Sequence, residues 1–145
     1  MQARLAVLFL GPALLLAGCA EEDAPVSGAK AAVVEQGDPI CAAMRDAVGT
    51  LGDEPEKDRD AIQAGVDQLE AIPAPDEDAQ TLKLMLIRIE NAALAMEDAN
   101  QAGIQKDGAR AQKAVQTARD NDEAARGLAE TYGFVECAQG IEASS

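Results

Sequence analysis

Between Ala111 and Tyr132 the chain sets Ala111, Val115, Ala118, Asp122, Ala125, Ala129 and Tyr132 in steps that alternate four and three. That spacing is the seam of an α-helix packed lengthwise on a neighbour, because residues three and four apart share one helix face. A strand alternates its faces with period two and cannot bury such a set. The seam is made of small residues, so two backbones can approach closely along it. Composition extends the argument to the whole chain: alanine occurs 31 times in 145 residues, against one Tyr, two Phe and no Trp. Sheets draw on aromatic and β-branched residues, whereas alanine is the strongest helix former. The fold expected is all-α, an antiparallel up-down four-helix bundle in a single domain.

Punctuation along the chain divides it into four helical segments. Asp38-Pro39 reads as a helix start, since Asp accepts hydrogen bonds from first-turn amides and Pro suits the first helical position. From there Ile40, Met44, Ala47 or Val48, and Leu51 recur at helical spacing, ending near Gly52. The second helix opens at Pro55 with Asp53 or Glu54 as its cap, carries Ile62, Val66 and Leu69, and stops at about Ile72 in "IPAP". The third opens at "PDEDAQ" and carries Leu82, Met85, Leu86, Ile89, Ala92, Ala93 and Met96, widened by Leu84 and Ile87. It is the most apolar segment and is expected at the centre. Gly103 and Gly108 break the period before the fourth helix, and Gly133 ends it. Phe134 and Val135 are expected to fold back over the open end of the core. Gly65 and Gly127 are expected to mark close helix contacts.

The amino terminus follows a different plan. Arg4 is followed by an apolar run from Leu5 to Leu16 and by small residues at Ala17 and Gly18, the layout of a secretory signal. The run is shorter than the ~20 apolar residues a transmembrane helix needs. Leu16-Ala17-Gly18-Cys19 resembles the lipobox of bacterial lipoproteins at all four positions. The resemblance implies a diacylglyceryl group on the Cys19 sulfur, signal-peptidase cleavage between Gly18 and Cys19, and Cys19 as the mature amino terminus. Two acyl chains hold a protein stably on a bilayer where one does not. The alternative is an ordinary exported protein. Ala20, where Asp would favour retention at the inner membrane, leaves either the cell membrane or an outer membrane as the address. With "DPIC" and "YGFVECA", the chain also resembles the small, Ala-rich, disulfide-closed helical lipoproteins of high-GC Gram-positive envelopes. The division expected is signal peptide 1–18, acylated terminus and flexible tether 19–37, helical domain 38–140 and disordered tail 141–145. Within the tether, "AKAAVVEQ" has the alternative of a short helix docked on the domain.

With Cys19 taken by lipid, Cys41 and Cys137 remain. An up-down bundle places the start of its first helix and the end of its fourth together, and export supplies an oxidising compartment. A Cys41–Cys137 disulfide is expected; two separate free thiols are the alternative. A first helix spanning 39–51 is shorter than the fourth, so either the fourth is shorter or frayed or residues 133–137 turn back along the bundle to reach it.

Acids number 26 against 12 bases, for a net charge of -14. Such a chain is repelled by nucleic acid, and anionic headgroups would repel it too, leaving the lipid to hold it. There is no His, the usual general base and zinc ligand, and Ser stands only at Ser27, Ser144 and Ser145. No glycine-rich phosphate loop occurs. Catalytic residues, cofactor and metal are accordingly expected to be none. Asp120 and Asp122 echo a calcium loop, but Ala125 and Thr131 stand where it needs Gly and Glu. Asp122 is expected at the seam's rim or facing Asn91. Asp76, Glu77 and Asp78 complement the dipole of the third helix and are also a candidate patch for a basic partner. The leading reading is a lipid-anchored, non-enzymatic module that binds a protein partner in the envelope. The alternatives are an acidic inhibitor of a basic secreted enzyme and a carrier of a small apolar ligand.

Overall fold

The computed structural model describes residues 28–49 and 52–141. The protein is an all-α bundle of α1 (Gly28–Val48), α2 (Pro55–Glu70), α3 (Asp76–Ile104) and α4 (Gly108–Tyr132), followed by a 3₁₀ turn at Cys137–Gln139. Each helix packs on the next in sequence, and α3 with α4 forms the most extensive pair. The pairs are antiparallel: Gly37 meets Leu69 and Gly65 meets Met44, Arg59 reaches Glu97 and Gln63 reaches Glu90, Arg88 meets Asn121 and Asp98 meets Arg110.

The start of α1 differs from the sequence expectation. Residues 28–37 are helical, and Pro39 lies inside α1 rather than at its first position. The cause is tertiary. Val33, Gly37, Cys41, Met44 and Val48 form one buried stripe that runs straight through the proline. Lys30 Nζ donates to Thr131 O at the end of α4 and pairs with Asp78 at 3.5 Å. Packing of that stripe outweighs the ~3 kcal/mol that an interior proline costs a helix. The folded domain therefore begins at least ten residues before Asp38. At the other end Ile141, assigned by sequence to the tail, is buried and bonded to Asp122, so it belongs to the fold. Leu51 and residues 142–145 lie outside the described residues.

The other helix limits follow local chemistry. Pro55 occupies the first turn of α2, and the Asp58 carboxylate, 2% exposed, accepts the Gly52 N–H at 2.7 Å. Glu70 ends α2, and Ile72 is buried in the turn beyond it. Gly103 does not stop α3; Asp107 caps α4 by accepting the Arg110 N–H. Gly133, at φ 99°, closes α4 in the left-handed conformation, and Phe134 N–H returns to Ala129 O.

Two expectations about faces are corrected. Leu84 and Ile87 are exposed rather than widening the core, because α2 and α4 flank α3 and nothing among the described residues covers the side between them. In α4 the buried line runs Ala114, Ala118, Asn121, Ala125, Ala129 and Tyr132, with Ala111, Val115 and Asp122 at its margin. A straight helix drifts about 20° per heptad from a strict 3.5-residue seam, enough to move the first half of the line by one residue. Gly65 marks a close contact, since a Cβ there would lie 2.8 Å from Met44 Sδ; Gly127 faces open space.

Candidate functional site

The densest set of specific contacts gathers where the chain turns back after α4. Residues 133–141 form a strap that crosses from α4 to α1 and back. Cys137 is joined to Cys41, with Cα atoms 5.1 Å apart and a sequence separation of 96. One helical turn before Cys41, the Asp38 carboxylate accepts the N–H groups of Val135 and Glu136 at 3.0 and 2.9 Å. One turn after it, Arg45 Nη1 donates to Glu136 O at 3.0 Å while Nη2 pairs with the Glu136 carboxylate. From α4, Arg126 Nε donates to Ala138 O and Asp122 accepts the Ile141 N–H. Asp38 is thus a clamp on the strap, not the cap of a helix. The residue type that favours a helix start does the same work here, accepting backbone amides, but for a distant segment.

The strap resolves the length mismatch anticipated from sequence. Because α1 starts at Gly28, its first turns lie beside the end of α4 and Cys41 falls mid-helix. Residues 133–137 fold back along the bundle to meet it, held by Asp38 and Arg45 on either side of Cys41. Phe134 is buried and stacks on Tyr132 at 5.0 Å between centroids, while Val135, expected in the core, points outward and is 64% exposed.

Electrostatics at the strap centre on Asp122. Burial pushes its carboxyl above the ordinary aspartate range, while the Ile141 N–H and Arg126 pull the other way. It does not face Asn91; Asn121 takes the polar contact across the helix pair, accepting from Arg88 at 3.1 Å and donating to Thr117 O at 2.8 Å. A native pKa above the unfolded value means the folded state binds the proton more tightly. Ionised Asp122 therefore costs stability at neutral pH, and that cost fades as pH falls through the carboxylate range. Asp122→Asn, which keeps an acceptor for Ile141, is expected to raise the urea midpoint at pH 7 and to match the parent once pH is below the unfolded aspartate value. An equal or lower midpoint at pH 7 would contradict the sign.

The remaining sequence candidates are placed as follows. Cys19 and Gly18 lie outside the described residues. Asp76 and Glu77 are exposed on the first turn of α3, but Asp78 is half-buried and engaged by Lys30, which also stands 5.0 Å over the Tyr132 ring. The acid patch is therefore two free carboxylates rather than three. Tyr132 is fully buried with its hydroxyl lacking a partner among the described residues; burial, then Asp78, hold the phenol above its ordinary range.

Under the strap, Cys41, Met44, Arg45, Ile89, Asp122, Ala125 and Ile141 enclose about 30 Å³, room for about one water. Two shallow surface grooves flank α3: about 370 Å³ against α4, floored by Ala95 and Ala114, and about 170 Å³ against α2, beside Ile62 and Leu94. Among the described residues no three His, Cys, Asp or Glu side chains converge on a metal position, and no helix is long and apolar enough to cross a membrane. The strap's polar clamps, Asp38, Arg45 and Arg126, carried no sequence signal beyond the acid preceding Pro39. Compared with known proteins, the chain matches no family model, no curated protein and no solved structure.

Proposed function

We propose that the chain is an extracytoplasmic lipoprotein, anchored through Cys19, whose helical domain is a non-enzymatic binding module in the cell envelope. The observation that carries the reading is cysteine pairing: Cys41 and Cys137 are joined, so Cys19 is the odd thiol, directly behind a charged, apolar and small-residue leader. Disulfides persist in exported proteins and are rare in reducing cytosol. The odd cysteine sits where the lipobox pattern puts the acylated residue. The inhibitor reading loses Asp78 of its three candidate acids to Lys30; for the carrier reading the space under the strap is a single water's, and the larger groove against α4 is lined mostly by the polar side chains of Asp98, Arg110, Lys113 and Thr117. A binding face on the domain's exterior is favoured over both.

Expression of the full chain in a bacterial host, followed by mass spectrometry of the amino-terminal peptide, tests the anchor. The expected result is a peptide beginning at Cys19 with a diacylglyceryl mass, lost in Cys19→Ala together with membrane fractionation. A terminus elsewhere, or an unmodified Cys19 on a freely soluble protein, would overturn it.

A further inference from the structure

Three thiols compete in this chain, and chain statistics favour the wrong pair. Cys19 is less than a quarter as far from Cys41 in sequence as Cys137 is. The entropic cost of closing a flexible loop grows as three halves of the logarithm of its length, so an unfolded chain joins Cys19 to Cys41 about nine times as often as Cys41 to Cys137. The folded protein joins Cys41 to Cys137. What reverses the order stands on either side of Cys41, on the same face of α1. The Asp38 carboxylate accepts the N–H groups of Val135 and Glu136, the two residues before Cys137, and Arg45 holds Glu136 by its carbonyl oxygen and its carboxylate. None of these contacts passes through a sulfur, so all of them can form before the bond does. Phe134, buried at the start of the strap, adds an apolar anchor that is equally independent of the thiols.

We propose that Asp38 and Arg45 are positioning residues for oxidation: they dock the strap on α1 while the thiols are still reduced, and so select Cys137, rather than Cys19, as the partner of Cys41. The chemistry is thiol–disulfide exchange with a disulfide oxidant, for which oxidised glutathione serves as the probe. Cys41 is 2% exposed and Cys137 only half-buried, so Cys137 reacts first. Its thiolate attacks the glutathione disulfide, forming a mixed disulfide and releasing one glutathione thiolate. The Cys41 thiolate then attacks the Cys137 sulfur, which closes the protein bond and releases the second. The protein gives up two electrons and its two thiol protons, and one glutathione disulfide becomes two glutathione thiols. Docking acts on the second step, because holding Cys137 beside Cys41 raises the effective concentration of one thiol at the other. The selection does not rest on the lipid-anchor reading. Where that reading holds, it has the further consequence that the Cys19 sulfur stays a thiol for acylation.

The test uses the unacylated chain from Cys19 onward, which retains every described residue, reduced and then equilibrated with glutathione buffers. Pairs are identified by peptide mass, and the effective concentration of Cys41 and Cys137 is read from the glutathione ratio. In buffer Cys41–Cys137 is expected to exceed Cys19–Cys41 by about a hundredfold or more, and in concentrated urea the order should reverse. Asp38→Ala and Arg45→Ala should each lower the effective concentration by about tenfold, the loss expected for a hydrogen bond to a charged group. Asp38→Asn, which keeps an oxygen acceptor, should recover part of it. Ile62→Val, a core change away from the strap, should lower the urea midpoint and leave the effective concentration unmoved, which separates positioning from loss of stability. Hydrogen exchange at the Val135 and Glu136 amides should stay slow in Cys41→Ala/Cys137→Ala and quicken when Asp38→Ala is added. An effective concentration unmoved by Asp38→Ala and Arg45→Ala, or lowered equally by Ile62→Val, would overturn the proposal. So would a Cys19 pair that dominates in buffer, or Val135 and Glu136 amides that exchange freely until the bond forms. An unmodified Cys19 in the cell would overturn the anchor alone and leave this selection standing.

Discussion

Cys41→Ala/Cys137→Ala is expected to lower the unfolding free energy by about 4–5 kcal/mol, the chain-entropy value for a loop close to a hundred residues long. Read by urea titration, this is a large fraction of the ~5–15 kcal/mol available to a domain of this size. The size of the effect follows from the composition. Ala92, Ala93, Ala118, Ala125 and Ala129 are among the buried residues of α3 and α4, and each contributes far less buried area than Leu or Phe would. The strap is also the main connection between α1 and α4, whose backbones pack on α2 and α3 rather than closely on each other. Yet the variant is expected to keep its helical circular dichroism signal. Asp38, Arg45, Asp122 and Arg126 hold the strap without the covalent bond, and the Phe134 ring remains buried. A midpoint unchanged by the double substitution would mean that the denatured chain gains nothing from losing the cross-link. Loss of helix content would mean that the polar clamps form only after oxidation.

What the sequence made legible was the part governed by neighbours in the chain. Pro55, the "IPAP" break and Gly133 act within a turn of themselves, and each stands at or within two residues of the helix limit expected from it. The disulfide was also legible, because bundle topology brings the first and fourth helices together, although it is the returning strap that carries Cys137 to Cys41 in the middle of α1. Asp38-Pro39 misled for a physical reason. The pair has the chemistry of a helix start, but the stripe from Val33 to Val48 can only be weighed once the surface that buries it is known. Leu84 and Ile87 misled in the same way: hydropathy marks them as core residues, and only the arrangement of α2 and α4 around α3 exposes them. The strap clamps could not be read at all. Asp38 and Glu136 are 98 residues apart, and nothing local distinguishes an aspartate that caps its own helix from one that holds a distant strand of backbone.

Phe134→Ala is the second large effect expected, a loss of about 3–5 kcal/mol for an emptied aromatic site. The adjacent Val135→Ala should cost within ~0.5 kcal/mol, since that side chain is outside the core. The ring's importance lies in what it meets. It stacks on Tyr132, and it lies against α1 so closely that a Cβ at Gly37 would stand 2.6 Å from Phe134 Cε1 and 3.1 Å from Leu69 Cδ2. Gly37 is thus the position that lets α1 approach the strap, and Phe134 is what fixes residues 28–37 as helix rather than tether. Amide exchange should report this directly: protection across residues 31–37 is expected to fall in Phe134→Ala while α3 keeps its own. The pairing also predicts a reversal of sign. In the parent, Gly37→Ala should destabilise, because the aromatic ring and the buried Leu69 leave no room for the methyl group. In the Phe134→Ala background the main obstacle is gone, and the same substitution should stabilise by up to about 1 kcal/mol through helix propensity. Equal effects of Gly37→Ala in the two backgrounds, measured as a double-mutant cycle, would show that α1 does not rest on the ring.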